Sequence, residues 1–505
     1  MTRPRTDEAT ELARWLRSGS ARARMSRERL ATLVAAVGPG HVVEDEADLV
    51  AAAARALESR DRSVAWLTLA VLRAQLPTDD DVVRTARTVA LDGALPTLTS
   101  LLRPPRLPFD RAARRTVEVV SDRVLVDLDH TSHTGLATGI QRVARQTVSR
   151  WARTHDVTLV GWTDDGRALR RLTATETQVA LHGAERDLDR PASRAPVLVP
   201  WRCTYVLPEL AVEPPRTART LALARWSRSR TGVIGFDCVP LTTAETVGHG
   251  MGAAFAGNLA AVRHMDRVAA ISRAAATEYE GWRRMLAASG WPGPEIVPVL
   301  LPVEARTPDP HVLEEARTRL GVTDASPLVL CVGSHEPRKN HLAVLAAAEL
   351  AWAEGVDFSL VFVGGNAWRS EEFADEVARL RAAGRPVRTV AAISDDLLWS
   401  AYALARTVVF PSLNEGFGLP VAEAIAAGVP VVTSNFGSMR EIAAAGGALL
   451  VDPRDDRALA RAVSALLRDD ALHARLSEEA RSSPRRSWDE YADELWDVLV
   501  AQPDA

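Results

Sequence analysis

The stretch "PLVLCVGSHEPRKNHLAVLAAAELAWAEG", residues 327–355, decides the fold of the second half of the chain. Its short apolar run predicts a buried strand, a polar turn ends the strand, and the apolar residues that follow have helical length and spacing. Further runs repeat this strand-and-turn pattern: "SLVFVGG", "VRTVAAI", "TVVFPS", "PVVTSN" and "ALLVDP". Strands that alternate with helices predict a parallel sheet covered by helices, so we expect an α/β domain over residues 311–485.

The same alternation begins earlier, at "RVLVDLDH", and predicts another α/β domain over residues 119–310. Its strand candidates are residues 124–128, 157–162, 197–200, 232–236, 267–271 and 296–302, with helices such as 139–153 and 251–263 between them. The predicted fold class is therefore α/β, with two Rossmann-like domains that face each other. Sheets of this kind bind ligands at the carboxyl ends of their strands, so the cleft between the domains is the expected active site.

The two ends of the chain differ from this pattern. Residues 1–118 are predicted to be helical, because segments such as "SVAWLTLAVLRAQL" have apolar positions with helical period. The acidic triplet at 79–81 is expected to cap a helix rather than bind a metal. Three prolines in "LRPPRLPF", residues 102–109, predict a linker. Residues 486–505 are expected to form a C-terminal helix that packs back on the first α/β domain.

Two interpretations of the N-terminal helices stay open. Residues 3–29 carry eight arginines against four acids, and such basic helices bind the surface of anionic membranes. Alternatively, the helices pack on the first α/β domain or form a homodimer with a second subunit, because their apolar faces must be buried. The interspersed acids dilute the basic face, and we therefore favour packing or dimerisation.

Composition excludes several classes of protein. A net charge of −4 and a pI near 6.3 argue against a nucleic-acid partner. The three cysteines, Cys203, Cys238 and Cys331, are too widely separated for a disulfide framework or a zinc site. The sequence has no apolar signal segment and no run near the roughly 18 apolar residues of a membrane span. We expect a cytoplasmic protein, with at most a peripheral contact at the inner face of the membrane.

Lys339 is the only lysine in the chain, against sixty arginines. With Arg338 it places two cations between a strand end and a helix start, where free N–H groups already favour an anion such as pyrophosphate. Retention of lysine here indicates a need for a compact ammonium group. The alternative is chance, since one lysine must be the last. The functional interpretation is favoured because asparagine is also rare and clusters at the strand ends of the second domain.

The other candidate loop lies in "FPSLNEGFGLPVAEAIAAGVPVV", residues 410–432, where a strand, a glycine-bearing loop and a short helix are expected. Glu415 lies in the loop, and Glu423 follows eight positions later in the helix. Gly416 and Gly418 allow the backbone to approach a ligand closely and to present its amides. The loop lacks the third glycine of the dinucleotide fingerprint.

Together these motifs resemble those of the retaining, GT-B-fold glycosyltransferases of family 4. The resemblance is carried by "EPRKNH" at 336–341, by residues 394–453 and by the E-x7-E pair Glu415 and Glu423. It extends more weakly to "TGIQRV" (138–143), "FDCVP" (236–240) and "VAAIS" (268–272). It covers about residues 119–500 and leaves out the first 118.

The resemblance implies a role for each matching residue. Arg338 and Lys339 would hold the diphosphate of a nucleotide sugar and neutralise the leaving group. Glu423 would bind the ribose, and Glu415 would orient the hydroxyls of the donor sugar with neighbouring backbone amides. The other implied donor-binding positions are Gly333, Gly416, Phe417, Gly418 and Leu419, and those of the facing loop are Thr138, Gly139, Gln141 and Arg142.

Asp237 has two open interpretations. In relatives, a His or Asp after this strand contacts the sugar or acceptor, and here Phe236 stands where histidine is common. Asp237 is therefore either an acceptor-side catalytic group or the cap of the next turn. His130 and His133 are expected to face the same cleft, and we do not interpret them as metal ligands because no third ligand accompanies them.

The expected mechanism uses no cofactor. The Asp-x-Asp triplet at 127–129 begins inside a strand and is interpreted as structural, so Arg338 and Lys339 replace a divalent metal in stabilising the leaving diphosphate. Retention would proceed by same-face attack, with the acceptor proton passing to the leaving phosphate. A glycoside hydrolase is rejected because the two cations would keep both Glu415 and Glu423 ionised.

The substrate is less well determined by the sequence. "TGIQRV" with "EPRKNH" resembles bacterial mannosyl- and rhamnosyltransferases of surface polysaccharide assembly, which favours GDP-mannose. UDP- and dTDP-sugars stay open, and the acceptor is expected to be a carbohydrate or a lipid-linked hydroxyl. The alternative functions are a non-catalytic sugar-nucleotide-binding scaffold and a sugar-nucleotide epimerase of the same fold.

Overall fold

The computed structural model describes residues 5–38, 43–102, 115–134, 138–183, 195–323 and 325–501. The predicted linker falls outside them from residue 103 onward. The helices before the linker are α1 (Arg5–Leu16), α2 (Ala21–Val37), α3 (Glu46–Glu58), α4 (Arg62–Arg73), α5 (Asp79–Asp92) and α6 (Ala94–Leu102). None of the described helices of the chain is both long and apolar enough to span a bilayer.

The predicted capping role of the acidic triplet is confirmed. Thr78 precedes α5 and accepts the N–H of Asp81, whose carboxylate in turn accepts the N–H of Thr78. This reciprocal pair satisfies two backbone donors at the helix start. The Asp79 carboxylate has a different role, because it accepts hydrogen bonds from Arg225 at 3.0 Å and Trp226 at 2.6 Å in the first α/β domain.

The N-terminal helices pack on that first domain. Helix α4 is buried from residue 64 to residue 72, and one apolar cluster contains Leu67 of this helix together with Trp162 and Tyr205 of the first sheet. Burial of apolar surface of this extent is the main stabilising contribution to such a contact. Of the two interpretations, packing on the first domain is the one observed. The homodimer and the membrane contact stay predictions.

The first α/β domain is built on one sheet. Its described strands are β1 (Val117–Val120), β2 (Val124–Asp127), β3 (Val157–Trp162), β4 (Leu169–Arg171), β5 (Val197–Pro200), β6 (Thr204–Leu207), β7 (Arg230–Gly235), β8 (Arg267–Ala270) and β9 (Glu295–Pro298). Their order is β1-β5-β4-β3-β2-β6-β7-β8-β9, and β4 alone among these described strands runs antiparallel to its neighbours. The helices are α7 (Asp129–Ser132), α8 (Gly139–Thr154), α9 (Ala174–His182), α10 (Pro214–Trp226), α11 (Val239–Thr242), α12 (Met251–Val262) and α13 (Arg273–Ala288).

Three of these strands were not predicted. Strand β1 begins at Val117, so the helical region ends before the boundary placed at residue 118. Strands β1 and β4 are short and partly polar, so they lack the apolar run that marks a buried strand. Strand β6 follows β5 after a turn of only three residues, so its apolar run is not isolated from that of β5.

The second α/β domain follows the predicted pattern closely. Its strands are β10 (Leu328–Val332), β11 (Ser359–Val363), β12 (Val387–Val390), β13 (Ala405–Phe410), β14 (Val431–Ser434) and β15 (Ala448–Val451). All pairings recorded in this sheet are parallel, in the order β12-β11-β10-β13-β14-β15. The helices are α14 (Pro310–Leu320), α15 (His341–Ala353), α16 (Glu371–Ala382), α17 (Asp395–Leu404), α18 (Leu419–Ala426), α19 (Gly437–Ile442), α20 (Asp456–Arg468) and α21 (Asp470–Ser482).

The last helix, α22 (Trp488–Trp496), packs on α8 of the first domain. The Trp151 indole N–H donates to the Ala492 carbonyl at 2.8 Å, and Arg150 pairs with Asp489 at 2.5 Å. A π-helical turn, Asp497–Ala501, continues the helix beside the amino ends of β7 and β8, where Arg267 donates to the Val498 carbonyl. The chain thus crosses between the two domains twice.

Candidate active site

The cation pair lies at the carboxyl end of β10. One 3-10 turn, Pro337–Lys339, follows the strand, and α15 begins at His341. The residue between them, Asn340, adopts a left-handed conformation with φ of 59°. Its side-chain amide donates to the carbonyls of Pro411 and Pro453 at 3.2 and 2.7 Å. Asn340 therefore fixes the turn to the loops after β13 and β15, a role that accounts for one of the rare asparagines.

Both cations contact Glu415, which is buried. Lys339 Nζ lies 2.6 Å from Oε1, and Arg338 Nη1 lies 2.5 Å from Oε2. Ser412 donates a further hydrogen bond to Oε1 at 2.7 Å. Burial opposes ionisation of Glu415, but the two cations outweigh burial and lower its pKa to about 2. The carboxylate is therefore ionised at neutral pH and holds both cations in one place.

Arg338 has further partners within its own domain. Its guanidinium donates to Glu336 at 2.6 Å and to the carbonyl of Asn414 at 2.8 Å. Burial lowers the pKa of Arg338, but the nearby carboxylates outweigh burial and raise it above its usual value. Because each cation has an acidic partner, the pair is held in position before a ligand arrives, which is the arrangement that preorganised electrostatic stabilisation requires.

Gly416 lies where the two domains touch. A Cβ atom at this position would lie 2.1 Å from the carbonyl oxygen of Phe236, so only glycine fits. The Gly416 carbonyl accepts a hydrogen bond from the Ser272 hydroxyl at 2.6 Å. Phe417 packs on an apolar cluster of the first domain, and Gly418, with φ of 97°, precedes α18. This loop therefore carries Glu415 to the carboxyl end of β7.

Asp237 follows β7 and lies directly across from this loop. One carboxylate oxygen accepts the N–H of Val239 at 3.1 Å, so the residue does cap the next turn. It also faces the cation site: burial raises the pKa of Asp237 to about 6, Arg338 lowers it, and Glu278 and Glu415 raise it. The two interpretations of this residue are compatible in the structure, and its acceptor-side role stays a prediction.

Glu423 lies at a different point of the interface. Its Oε1 lies 2.6 Å from Arg142 Nη1 of the first domain, and its Oε2 accepts the Tyr402 hydroxyl at 2.8 Å. Leu419 faces Gly139 across the same gap, since a Cβ at 139 would lie 3.4 Å from Leu419 Cδ1. Burial raises the pKa of Glu423 although Arg142 opposes that effect. The expectation that Arg338 and Lys339 keep both glutamates ionised is therefore wrong for Glu423, because neither of them contacts it.

The remaining predicted residues fall into two groups. Thr138 precedes α8 and donates its hydroxyl to Gln141, so these two lie beside Arg142 on the first domain. Gly333 directly follows β10, and a Cβ there would lie 3.6 Å from Lys339 Cδ. The geometry thus makes one cluster around Glu415 and another around Glu423.

The Asp-x-Asp triplet is tied into the first domain by hydrogen bonds. The Asp127 carboxylate is fully buried and accepts hydrogen bonds from Trp162 at 2.7 Å, from Tyr205 at 2.5 Å and from Arg216 at 2.9 Å. His133, three residues after His130, lies 3.4 Å from Glu176. In the part of the chain that the structure describes, no three His, Cys, Asp or Glu residues are grouped so as to hold a metal ion.

Comparison with known proteins places the second domain in a family. Residues 313–483 match the model of the family Glycosyl transferases group 1. The second domain is a glycosyl transferases group 1 domain. The match includes the cation turn, the Glu415 loop and helix α18.

Curated relatives extend the likeness beyond the group 1 domain. The serotype-specific mannosyltransferase WbdA of Escherichia coli is 27% identical over 345 residues, which are 66% of this chain and 41% of that protein. The O-antigen chain mannosyltransferase B of Escherichia coli is 38% identical over 143 residues, 28% of this chain and 37% of that protein. The chain thus spans about two fifths of the length of these relatives.

Solved structures confirm the predicted fold class. Anabaena Alr3699/HepE in complex with UDP has a TM-score of 0.53 at 16% identity and covers 75% of this chain and 100% of its own. WaaG, a glycosyltransferase involved in lipopolysaccharide biosynthesis, has a TM-score of 0.51 at 17% identity with the same coverage. The architecture is α/β GT-B with an added N-terminal helical region.

Several residues that contact the site, in both the group 1 domain and the first α/β domain, were not predicted. Ser412 and Tyr402 lie in quoted motifs, and their hydroxyls bind Glu415 and Glu423 respectively. Asn414 is one of the rare strand-end asparagines, and its contact with Glu278 was not predicted. Glu278, in the middle of α13, has no local sequence signal, because its role depends on a contact with the other domain.

Proposed function

We propose that this protein is a retaining, metal-independent glycosyltransferase that moves a sugar from a nucleotide-sugar donor to an acceptor hydroxyl. The observation that carries the proposal is the Arg338 and Lys339 pair, held 2.5 and 2.6 Å from Glu415 at the domain interface of a group 1 domain. Two cations at one strand end suit a diphosphate, and Glu415 lies beside them to orient a sugar. Synthesis of surface polysaccharide or glycoconjugate is the proposed setting, supported by the mannosyltransferase relatives.

The proposed mechanism assigns the charge that develops on the leaving diphosphate to Arg338 and Lys339. Fixed cations in a site that excludes water stabilise such charge without reorganisation. The acceptor hydroxyl would attack from the face that the diphosphate leaves and would give its proton to the departing phosphate oxygen. Glu415 does not suit a general acid, since its pKa near 2 keeps it ionised.

The proposed donor is GDP-mannose, because both curated relatives described above are named mannosyltransferases. UDP- and dTDP-sugars are the alternatives, and the HepE structure was solved with UDP. A carbohydrate or lipid-linked acceptor, a cytoplasmic location, a peripheral membrane contact and a homodimer are kept as sequence-based proposals. None of them is needed for the chemistry at the cation pair.

The test combines binding with turnover. A thermal-shift screen with GDP, UDP, dTDP and ADP is expected to give one clearly larger stabilisation, since a ligand that binds only the native state raises its stability. Turnover of GDP-mannose, and of UDP-glucose as the second donor, is then measured in excess EDTA with and without methyl α-mannoside. We expect transfer that requires the acceptor and persists in EDTA, with the anomeric configuration retained by NMR.

Other results of these assays would favour the alternative functions, an epimerase or a non-catalytic scaffold. Consumption of donor without acceptor, with a new sugar epimer as product, would indicate an epimerase. Binding without consumption of any donor would indicate a scaffold. Strict dependence on added Mg²⁺ or Mn²⁺ would contradict the proposed role of Arg338 and Lys339 as replacements for a metal.

The Arg142–Glu423 pair leads to a separate prediction. Arg142 and Tyr402 each contact one oxygen of Glu423, and we propose that Arg142 turns from Glu423 towards the phosphates when a ribose binds there. In Arg142→Met, the ratio of diphosphate affinity to nucleoside affinity is expected to fall by about 10-fold or more, because a lost charge-assisted contact costs roughly 1.5–3 kcal/mol. Titration calorimetry with GDP and guanosine, or with UDP and uridine, measures that ratio.

Arg150→Met is the matched control for this variant. Arg150 also lies on α8, but it pairs with Asp489 of the C-terminal helix, away from Glu423. Its ratio of affinities is expected to equal that of the wild type. An unchanged ratio in Arg142→Met would show that Arg142 only braces Glu423 and does not reach the phosphates.

A further inference from the structure

Glu278 stands at the contact between the two domains and serves both of them. It lies on α13 of the first domain. Its Oε2 accepts the N–H of Cys238, the residue after Asp237, at 2.8 Å. Its Oε1 accepts the side-chain amide of Asn414, from the second domain, at 2.8 Å. One carboxylate therefore touches the loop of the acceptor side and the loop of the donor side.

Asn414 continues this chain of contacts to the cations. The residue is only 3% exposed, and its side-chain amide also donates to the Thr242 hydroxyl at 2.9 Å. Its backbone carbonyl accepts Arg338 Nη1 at 2.8 Å, and Glu415 is the next residue along the chain. A shift of Asn414 would therefore move the partners that hold Arg338.

We infer that Glu278 and Asn414 are positioning residues that hold Asp237 of the first domain and Arg338 of the second domain at a fixed separation. The inference rests on the proposed function for its effect on turnover, but the contact itself is tested independently. Neither residue needs to touch a substrate in this role. Reacting groups must be placed to within a fraction of an ångström, and a displacement of about 1 Å reduces rates by roughly 100-fold.

The test exchanges the two side chains in steps. In Asn414→Asp, two carboxylates face each other. In Glu278→Gln, the side chain keeps only one acceptor oxygen for its two donors, the Cys238 N–H and the Asn414 amide. In the double variant the amide and the carboxylate have changed sides, so a donor again faces an acceptor. Each single variant is expected to lower kcat by about 10- to 100-fold, and the double variant to recover to within about 5-fold of wild type.

Two measurements separate this inference from the proposed function. Turnover is followed as release of GDP from GDP-mannose and of UDP from UDP-glucose, with GDP and UDP affinities expected to stay within about 3-fold of wild type. Independently of any activity, hydrogen exchange of peptides covering residues 236–242 and 411–416 is expected to quicken in both single variants and to return to the wild-type rate in the double variant. An inactive wild type would overturn the proposed function, whereas unchanged exchange would overturn the positioning pair.

Glu441→Gln is the matched control. Glu441 also crosses the domain interface, where its carboxylate accepts the N–H groups of Arg273 and Ala274 at 3.1 and 3.0 Å. Its described polar partners, Arg273 and Ala274, belong to neither the Asp237 loop nor the Asn414 loop. Its kcat is expected to stay within about 2-fold of wild type. A loss in Glu441→Gln equal to that in Asn414→Asp would mean that any weakening of the interface suffices, which would overturn the specific role of the pair.

The pH profile gives a readout that a purely structural contact would not change. The groups that face or adjoin Asp237 are Arg338, Glu278, Glu415, the Val239 N–H, Cys238 and Tyr279. Burial raises the pKa of Asp237 to about 6, and the negative charge of Glu278 adds to that increase. Glu278→Gln removes that charge, so the pKa of Asp237 is expected to fall and, on the acceptor-side interpretation of Asp237, the acid limb of the kcat profile is expected to move to lower pH. An acid limb at the wild-type pH would contradict the placement of Asp237 by Glu278.

Discussion

Replacing Lys339 by arginine is expected to lower kcat for sugar transfer by about 100-fold or more, although the positive charge is kept. The ammonium lies 2.6 Å from Glu415 and 5.1 Å from the centre of the Phe410 ring, and the side chain is 12% exposed. Arg338 already occupies the other oxygen of the same carboxylate. A longer, planar guanidinium does not fit into this place without displacing one of these neighbours.

Comparison of Lys339→Arg with Lys339→Met separates shape from charge. We expect nucleoside diphosphate affinity to fall mainly in Lys339→Met, which removes the charge, and kcat to fall in both variants. Arg379→Lys is the control for arginine–lysine exchange as such, because Arg379 pairs with Glu349 and Glu376 on the exposed face of α16. Wild-type turnover in Lys339→Arg would show that the single lysine of the chain is there by chance.

The two glutamates are expected to have different kinetic phenotypes. Glu415→Gln should lower kcat by about 100- to 1,000-fold, because the amide cannot hold Arg338 and Lys339 together where charge develops. Glu423→Gln should mainly weaken donor binding, by about 10-fold, because its partners Arg142 and Tyr402 lie away from that pair. Steady-state kinetics with each donor, together with titration of the nucleoside diphosphate, distinguishes the two effects.

Folding must be checked in the Glu415 variant. Loss of one charge from a buried cluster leaves Arg338 and Lys339 without a full counter-charge, which destabilises the folded state. Thermal unfolding and far-ultraviolet circular dichroism therefore accompany the kinetics, and Ser412→Ala is the milder companion variant, since it removes only the 2.7 Å hydrogen bond to Glu415. Identical kcat and KM changes in Glu415→Gln and Glu423→Gln would contradict the separate roles.

The sequence predicted the second domain better than the first. The central strands β10 and β11 of the second sheet are short apolar runs bounded by turns, and they are buried on both faces, as is typical of parallel sheets. In the first sheet, β1 and β4 contain charged residues and lie where one face meets water or the N-terminal helices. Their apolar pattern is therefore incomplete, and local periodicity did not detect them.

In the candidate site as well, the residues that follow from local sequence pattern were predicted, and the contacts between distant residues were not. Arg338, Lys339 and Glu415 were selected from the sequence because each lies in a loop that follows a predicted strand, and Glu423 because it lies in the helix after the same loop as Glu415. Such positions follow from local pattern alone, since the chain direction places every strand end of a parallel sheet at the same edge. Ser412 lies in the same loop, but its contact with Glu415 became visible only in the folded chain.

The sequence alone determined the order of strands and helices in the second domain, the presence of two α/β domains, the cation turn and the glycine loop, because these depend on the spacing of residues close together in the chain. The tertiary structure decided which side chains from distant parts of the chain contact each other at the site. Lys339 and Glu415 are 76 positions apart, Asn414 and Glu278 are 136 apart, and Arg142 and Glu423 are 281 apart. No short-range pattern specifies such pairs, because they form only when the packed domains bring their loops within hydrogen-bonding distance and exclude the water that would otherwise separate the charges.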